Sequence, residues 1–218
     1  MAAQITRDQI IDTTLTFASE RAWEPLRLFD IAEALDVTLD DIRIHFREKD
    51  ELIDAWFDRA DQAMLERGTS TAFYDLDMRE RLTDALFAWF SVLAPHRRVA
   101  RQMMAHKLEI GHIHVQILGL FRVSRTVQWW RETARMDAAD MWRAIEETVL
   151  TTIYLKTFAF WLFDSTKDSE MTRKFLGFQL RGAERFAKAF GGCGVSQLNY
   201  PVSVKAQEIT EQSSKTSE

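Results

Sequence analysis

Apolar residues recur three and four positions apart along most of the chain, the spacing of one buried helix face. The first run is Ile10, Ile11, Thr14, Leu15, Phe17 and Ala18, with Thr6 placed to cap its start and an end expected near Glu20. Trp23 and Pro25 mark a connection, after which Leu28, Ile31, Ala32 and Leu35 give a short second helix. Asp36 and Val37 make a turn. Thr38 then caps a third helix through Ile42 and Phe46, and a fourth, beginning near Asp50, carries Leu52, Ile53, Trp56, Phe57 and Ala60. Three short helices and a long one predict a compact head, assigned to residues 1–55.

The same period continues from Met78 through Leu82, Ala85, Leu86, Trp89, Phe90 and Leu93, breaks at Pro95, and resumes from His96 to about Lys107. Residues 108–136 predict one or two helices with Ile113, Ile117, Leu120, Phe121, Val127 and Trp130 inward, and 138–163 the most apolar helix of the chain. Asp164, Ser165 and Asp168 supply stop and cap signals before a last helix over about 169–190, which Gly191, Gly192 and Gly194 end. The body is therefore expected over 56–192. Residues 193–218 are polar and rich in Ser, Thr, Lys and Glu, too poor in apolar surface to pack, and are expected to form a disordered tail.

Composition supports an all-α fold. Eight Gly and three Pro among 218 residues are few turn formers, while 15 Phe, 7 Trp and 8 Met supply large apolar surface for long helices around a roomy interior. A net charge of −5 argues, weakly, against a dedicated nucleic-acid binder. The single Cys193 excludes an intrachain disulfide framework and an all-cysteine zinc site, so a cytoplasmic location is expected. The first residues lack the apolar core of a secretion signal, and no stretch approaches the roughly 20 apolar residues of a membrane span. Glu109 and His112, near His106 and His114, form one Glu-x-x-His step, but a di-iron bundle needs two, so no metal or other cofactor is expected. No Ser, Thr or Cys stands with a plausible base and orienter, so no catalytic residue is assigned.

Ala18-Ser-Glu-Arg-Ala-Trp23, Leu28-Phe-Asp30-Ile31-Ala32-Glu-Ala34, Val37-Thr38, Ile42, His45-Phe46, Lys49 and Leu52 together resemble the head of the TetR family, without a gap from about residue 7 to 55. That resemblance implies a helix-turn-helix head on an all-helical ligand-binding and dimerising body. Several surface positions depart from the family pattern. Leu26 or Arg27 stands for the small hydroxyl residue before the second helix, Asp36 for the turn glycine, Asp40-Asp41 for a Gly-Thr pair, and Arg43 for a tyrosine. Phosphate binding rests on Lys and Arg, and residues 36–51 hold six acids (Asp36, Asp40, Asp41, Glu48, Asp50, Glu51) against three bases. The fold is expected to carry over and the DNA function not.

In the body, Arg79-Glu-Arg-Leu82, Leu93-Ala-Pro-His96-Arg97, Trp129-Trp130-Arg131, Trp161-Leu162-Phe-Asp164-Ser165 and Thr172-Arg173-Lys174-Phe175-Leu176 resemble, in order over 78–188, the TetR-like lipid-binding accessory proteins of coenzyme Q (ubiquinone) biosynthesis. This second resemblance implies a pocket for an isoprenoid lipid, peripheral docking at the inner membrane surface, and a quinone-biosynthesis hydroxylase as partner. Met103, Met104, Trp130, Trp142, Phe158 and Trp161 are the candidate pocket residues, apolar and adaptable in shape. Arg173, Lys174, Arg181, Arg185 and Lys188 share an arc of the last helix and are the candidate membrane or partner surface. The favoured reading is a non-catalytic, homodimeric lipid-binding accessory protein. The alternative is a ligand-responsive TetR-family repressor, in which Thr38, Arg43, His45, Arg47 and Lys49 would meet DNA.

Overall fold

Thr6 opens the first helix as the spacing predicts, in the computed structural model of the chain, which describes residues 5–108, 113–138 and 140–189. Its Oγ1 accepts the Gln9 N–H at 3.2 Å, and Gln9 Oε1 accepts the Thr6 N–H at 2.9 Å, a reciprocal cap for two otherwise orphaned donors. Helix α1 (Arg7–Arg21) buries Ile10, Ile11, Thr14, Leu15 and Ala18. Helices α2 (Leu28–Ala34) and α3 (Leu39–His45) close over it, and Trp23, Leu26, Ile31, Ile42 and Phe46 complete the small core. Val37 N–H reaches back to the Ala32 carbonyl at 3.0 Å, and Asp36 takes the left-handed conformation (φ 52°) that lets α2 turn sharply into α3. This is a helix-turn-helix.

Helix α4 (Asp50–Arg67) runs on without interruption from the head into the body. Leu52, Ile53, Trp56, Phe57, Ala60 and Met64 make its buried stripe, packed mainly on α6 (Met78–Leu93) and then α8 (Ile113–Ala134). A one-turn α5 (Thr71–Tyr74), not foreseen from periodicity, buries Phe73 between α4 and α6 in the chain order. The expected break at Pro95 is a 3-10 turn, Ala94–His96, leading straight into α7 (Arg97–Leu108), since proline fits the first turn of a helix where its missing N–H is not needed. Helices α9 (Asp140–Phe163) and α10 (Glu170–Ala189) follow, separated by a 3-10 turn at Lys167–Ser169. Trp89, Trp130 and Trp161 are wholly buried in the body. Each such ring contributes roughly 2–3 kcal/mol of apolar burial.

The chain through residue 181 forms one unit, and residues from 182 belong to a second, of which the described part is the end of α10. The tail assigned to 193–218 lies outside the described residues. Among the described residues every regular element is helical, and no helix is long and apolar enough to cross a membrane.

Candidate functional site

On α3, the two acids that the sequence sets against DNA turn out to have local work. Asp41 is the third helical residue and forms a capping box with Thr38: its Oδ2 accepts the Thr38 N–H at 2.9 Å and the Thr38 hydroxyl at 2.6 Å, while Thr38 Oγ1 accepts the Asp41 N–H at 3.2 Å. The Thr38 hydroxyl, then its backbone N–H, hold the Asp41 carboxyl below the ordinary range. Asp40 accepts from Arg43 Nε at 2.8 Å and Nη2 at 2.7 Å through one oxygen. Both carboxylates are thus engaged by their own helix, Asp41 as its cap and Asp40 as the partner of Arg43. The Thr38-Leu-Asp-Asp41 spacing is a capping-box signature legible in the sequence alone.

The other head residues differ in their surroundings. Arg47 is exposed, and its backbone N–H donates to Glu51 at 2.8 Å. His45 is half-buried. Lys49 points back into the head: Nζ donates to the carbonyls of Trp23 at 2.6 Å and Glu24 at 3.1 Å, and lies 4.4 Å from the Trp23 ring centroid. Burial, then the nearby Arg27, push its ammonium down to about 8. Large apolar side chains are exposed instead on this surface, Phe29 on α2 and Leu39 and Ile44 on α3.

Head and body are joined by polar contacts rather than by α4 alone. Gln102 on α7 accepts the Trp23 N–H at 2.9 Å, Ser19 on α1 meets His96 Nδ1 at 2.9 Å, and Arg59 on α4 holds Asp8 at 2.9 Å and Asp12 at 2.5 Å. Trp23 is therefore gripped through its N–H by the body and through its carbonyl and ring by Lys49.

Sequence reasoning missed a buried polar cluster on α4. Asp61 accepts from Trp89 Nε1 at 2.8 Å and Thr126 Oγ1 at 2.9 Å through one oxygen, and from Arg122 Nη2 at 3.0 Å through the other. Arg122 also pairs with Asp58. Burial pushes the Asp61 carboxyl above its ordinary range against the pull of the Arg122 guanidinium. The available signal was an Asp at position 61 inside the apolar stripe of Phe57, Ala60 and Met64, where only a partnered acid is tolerated. Beside it lies an aromatic stack. Phe57 stacks on Trp89 at 5.5 Å, Tyr154 on Phe158 at 6.0 Å, and Trp161 on Phe90 at 4.9 Å.

Of the six candidate pocket residues, Phe158 and Trp161 share this stack, 6.1 Å apart. Trp130 is tied elsewhere, its Nε1 donating to the Leu82 carbonyl at 2.8 Å. Met103 is fully buried, whereas Met104 and Trp142 are half-buried. Glu109 and His112 lie outside the described residues, and no metal-holding group of acids, His and Cys occurs among those described.

The basic arc of α10 is partly consumed within the protein. Lys174 pairs with Glu170 at 2.6 Å, Lys188 with Glu184 at 2.7 Å, and the Arg173 guanidinium sits 3.9 Å from the Phe87 ring centroid. Arg181 and Arg185 are exposed. The expected membrane surface therefore has no continuous field of free cations behind it, and that expectation finds no support.

The likeness to solved proteins points one way. A crystal structure of a TetR transcriptional regulator from Nitrosomonas europaea is 50% identical, covers 82% of this chain and 98% of its own, and superposes with a TM-score of 0.74. A TetR-family transcriptional regulator from Streptomyces coelicolor, 15% identical over 98% of this chain and 100% of its own, has a TM-score of 0.60, a likeness of fold alone. No protein-family model and no curated protein matches the chain. The expectation of a lipid-binding accessory protein of coenzyme Q biosynthesis, with its quinone-biosynthesis hydroxylase, is overturned by the likeness to the Nitrosomonas regulator. The stretches that suggested it do scaffold work here: Trp130 and Arg131 are buried, with Arg131 paired to Glu146 at 3.1 Å, Arg97 braces the Asp164 carbonyl and the Ser169 hydroxyl, and Asp164 caps α10. With half its residues shared over nearly the whole length of the Nitrosomonas regulator, the chain belongs to the TetR family.

Proposed function

We propose that the protein is a non-enzymatic, ligand-responsive transcriptional regulator that binds DNA as a homodimer. The observation that carries this reading is the helix-turn-helix of α2 and α3, its outer α3 face open to solvent, in a chain 50% identical to a TetR transcriptional regulator. Arg43 and Arg47 lie on the exposed side of that head, and Thr38 fixes the start of the helix that would enter the major groove. The inward-held Lys49 braces the Trp23 and Glu24 carbonyls rather than meeting phosphate directly.

A second copy accounts for the exposed apolar residues of α9 and α10. Phe163 on α9 and Phe178 on α10 are 75% and 69% exposed, with Leu155 and Met171 also open to solvent. Large apolar side chains open to solvent on both α9 and α10 mark an association surface. The effector is a small molecule with an apolar face, received against the aromatic stack that includes Phe158 and Trp161, with Met103, Met104, Trp130 and Trp142 as the further candidate wall. Because Asp61 ties α4 to α6 and α8 beside that stack, a ligand that displaces these helices moves the stem of the head. Electrophoretic mobility shift with the DNA upstream of the protein's own coding sequence tests the reading. A complex that weakens as salt rises supports it, and absence of any shift at low salt overturns it.

A further inference from the structure

The exposed face of α3 is an unusual mixture. Leu39, Asp40, Arg43 and Ile44 stand at positions i, i+1, i+4 and i+5, so they form one patch on the helix, and Ile42 and Phe46 face the core on the other side. Leu39 is 53% and Ile44 67% exposed. The two open apolar side chains flank Arg43 on a seven-residue helix, where a face that bound only phosphate would carry further cations.

The patch has the chemistry of a base reader. Asp40 engages Arg43 along one edge, through Nε and a single N–H of Nη2. Both N–H groups of Nη1 and the outer N–H of Nη2 remain, and together they make the end-on fork that matches the O6 and N7 acceptors of guanine in the major groove. A guanidinium on a flexible stem loses rotamer entropy when it docks, and the carboxylate fixes it beforehand. Leu39 and Ile44 flank it with methyl groups, the partners that suit the C5-methyl of thymine.

We infer that Arg43, oriented by Asp40, is the specificity-determining residue of this regulator and reads a guanine, with Leu39 and Ile44 against neighbouring thymine methyl groups. The inference rests on the DNA-binding reading. It also gives Asp40 a positive role: the acid lowers affinity for DNA in general and raises discrimination between sequences.

Selection of the wild-type protein on a randomised duplex library tests it, followed by titration of the selected duplex and of variants in which one base pair is changed. The expected half-site carries a guanine beside thymine, and replacing that guanine lowers affinity about tenfold or more. Arg43→Lys keeps the charge and loses the planar fork, so its penalty for the changed base is expected to shrink while its salt dependence stays. Asp40→Asn is expected to bind unrelated duplexes at least as tightly as wild type and to discriminate less. Thermal melting of each variant within a few degrees of wild type confirms folding. The inference is overturned if Arg43→Lys keeps the same base preference, or if Arg43→Ala weakens selected and unrelated duplexes by the same factor, as a mere surface ion pair or phosphate contact would. Selected DNA with no dependence on Arg43 leaves the regulator reading standing, whereas a wild-type protein that selects no DNA at any salt sinks both.

Discussion

Ala22 holds φ 76° with ψ 162°, a region that only glycine visits without strain, immediately before the Trp23 that Gln102 and Lys49 clamp from two sides. The clamp imposes that backbone, so Ala22→Gly is expected to stabilise the protein by about 1 kcal/mol in urea unfolding, despite the added freedom of the unfolded chain. Asp36, at φ 52°, is milder because a short polar side chain tolerates the left-handed region, and Asp36→Gly should gain only about 0.5 kcal/mol. Asp164 gives a pH signature. Burial acts to raise its carboxyl, but the hydroxyls and N–H groups of Thr166 and Thr172 prevail and hold it at about 2 against an ordinary 3.8. A depressed carboxyl contributes stability that is complete above the unfolded value and lost as pH falls through the folded one. The stability difference between wild type and Asp164→Asn should therefore be constant above about pH 5 and shrink between about pH 4 and pH 2, and a difference that persists at pH 2 would contradict the capping role.

At the scale of elements, α4 is the member that both halves of the chain share. Its first turns carry Leu52 and Ile53 in the head, and eight residues beyond Ile53 Asp61 is bonded to α6 and α8. Removing one partner of a buried ion pair is strongly destabilising, so Asp61→Ala should cost roughly 3 kcal/mol, with Trp89 and Thr126 losing their acceptor and the Arg122 guanidinium left with Asp58 alone. Asp61→Asn keeps an acceptor and should cost less. Equilibrium unfolding by urea measures both, and equal losses for the two would mean that packing rather than charge pairing makes the site. Gly68, at the end of α4, shows how closely the same helix approaches α8: a Cβ there would stand 2.7 Å from Thr133 Cγ2. The periodicity of the sequence gives α4 its apolar stripe but cannot give Asp61 its partners, which lie 28, 61 and 65 positions away.

For the whole molecule, the exposed apolar residues of α9 and α10 set the expected assembly. Charging that surface with Phe163→Glu and Phe178→Glu together should convert a dimer to a folded monomer by light scattering, with helicity unchanged and DNA binding weakened because two heads no longer act together. A doubly substituted protein that stays dimeric would place the interface elsewhere. The sequence by itself determined what depends on near neighbours: helix period, the cap at Thr6, the turn at Asp36, and the likeness of the head to TetR proteins. It also held the Thr38–Asp41 capping box, although its two acids read at first as repellent to DNA. Only the tertiary structure decided which charges are already committed. Lys49 turns inward to Trp23, Arg173 lies on Phe87, and Asp61 takes three partners in the core. A charge is legible in a sequence as a residue type, but its effect depends on solvent exposure and on partners brought together by packing, and those are fixed only when the chain has folded.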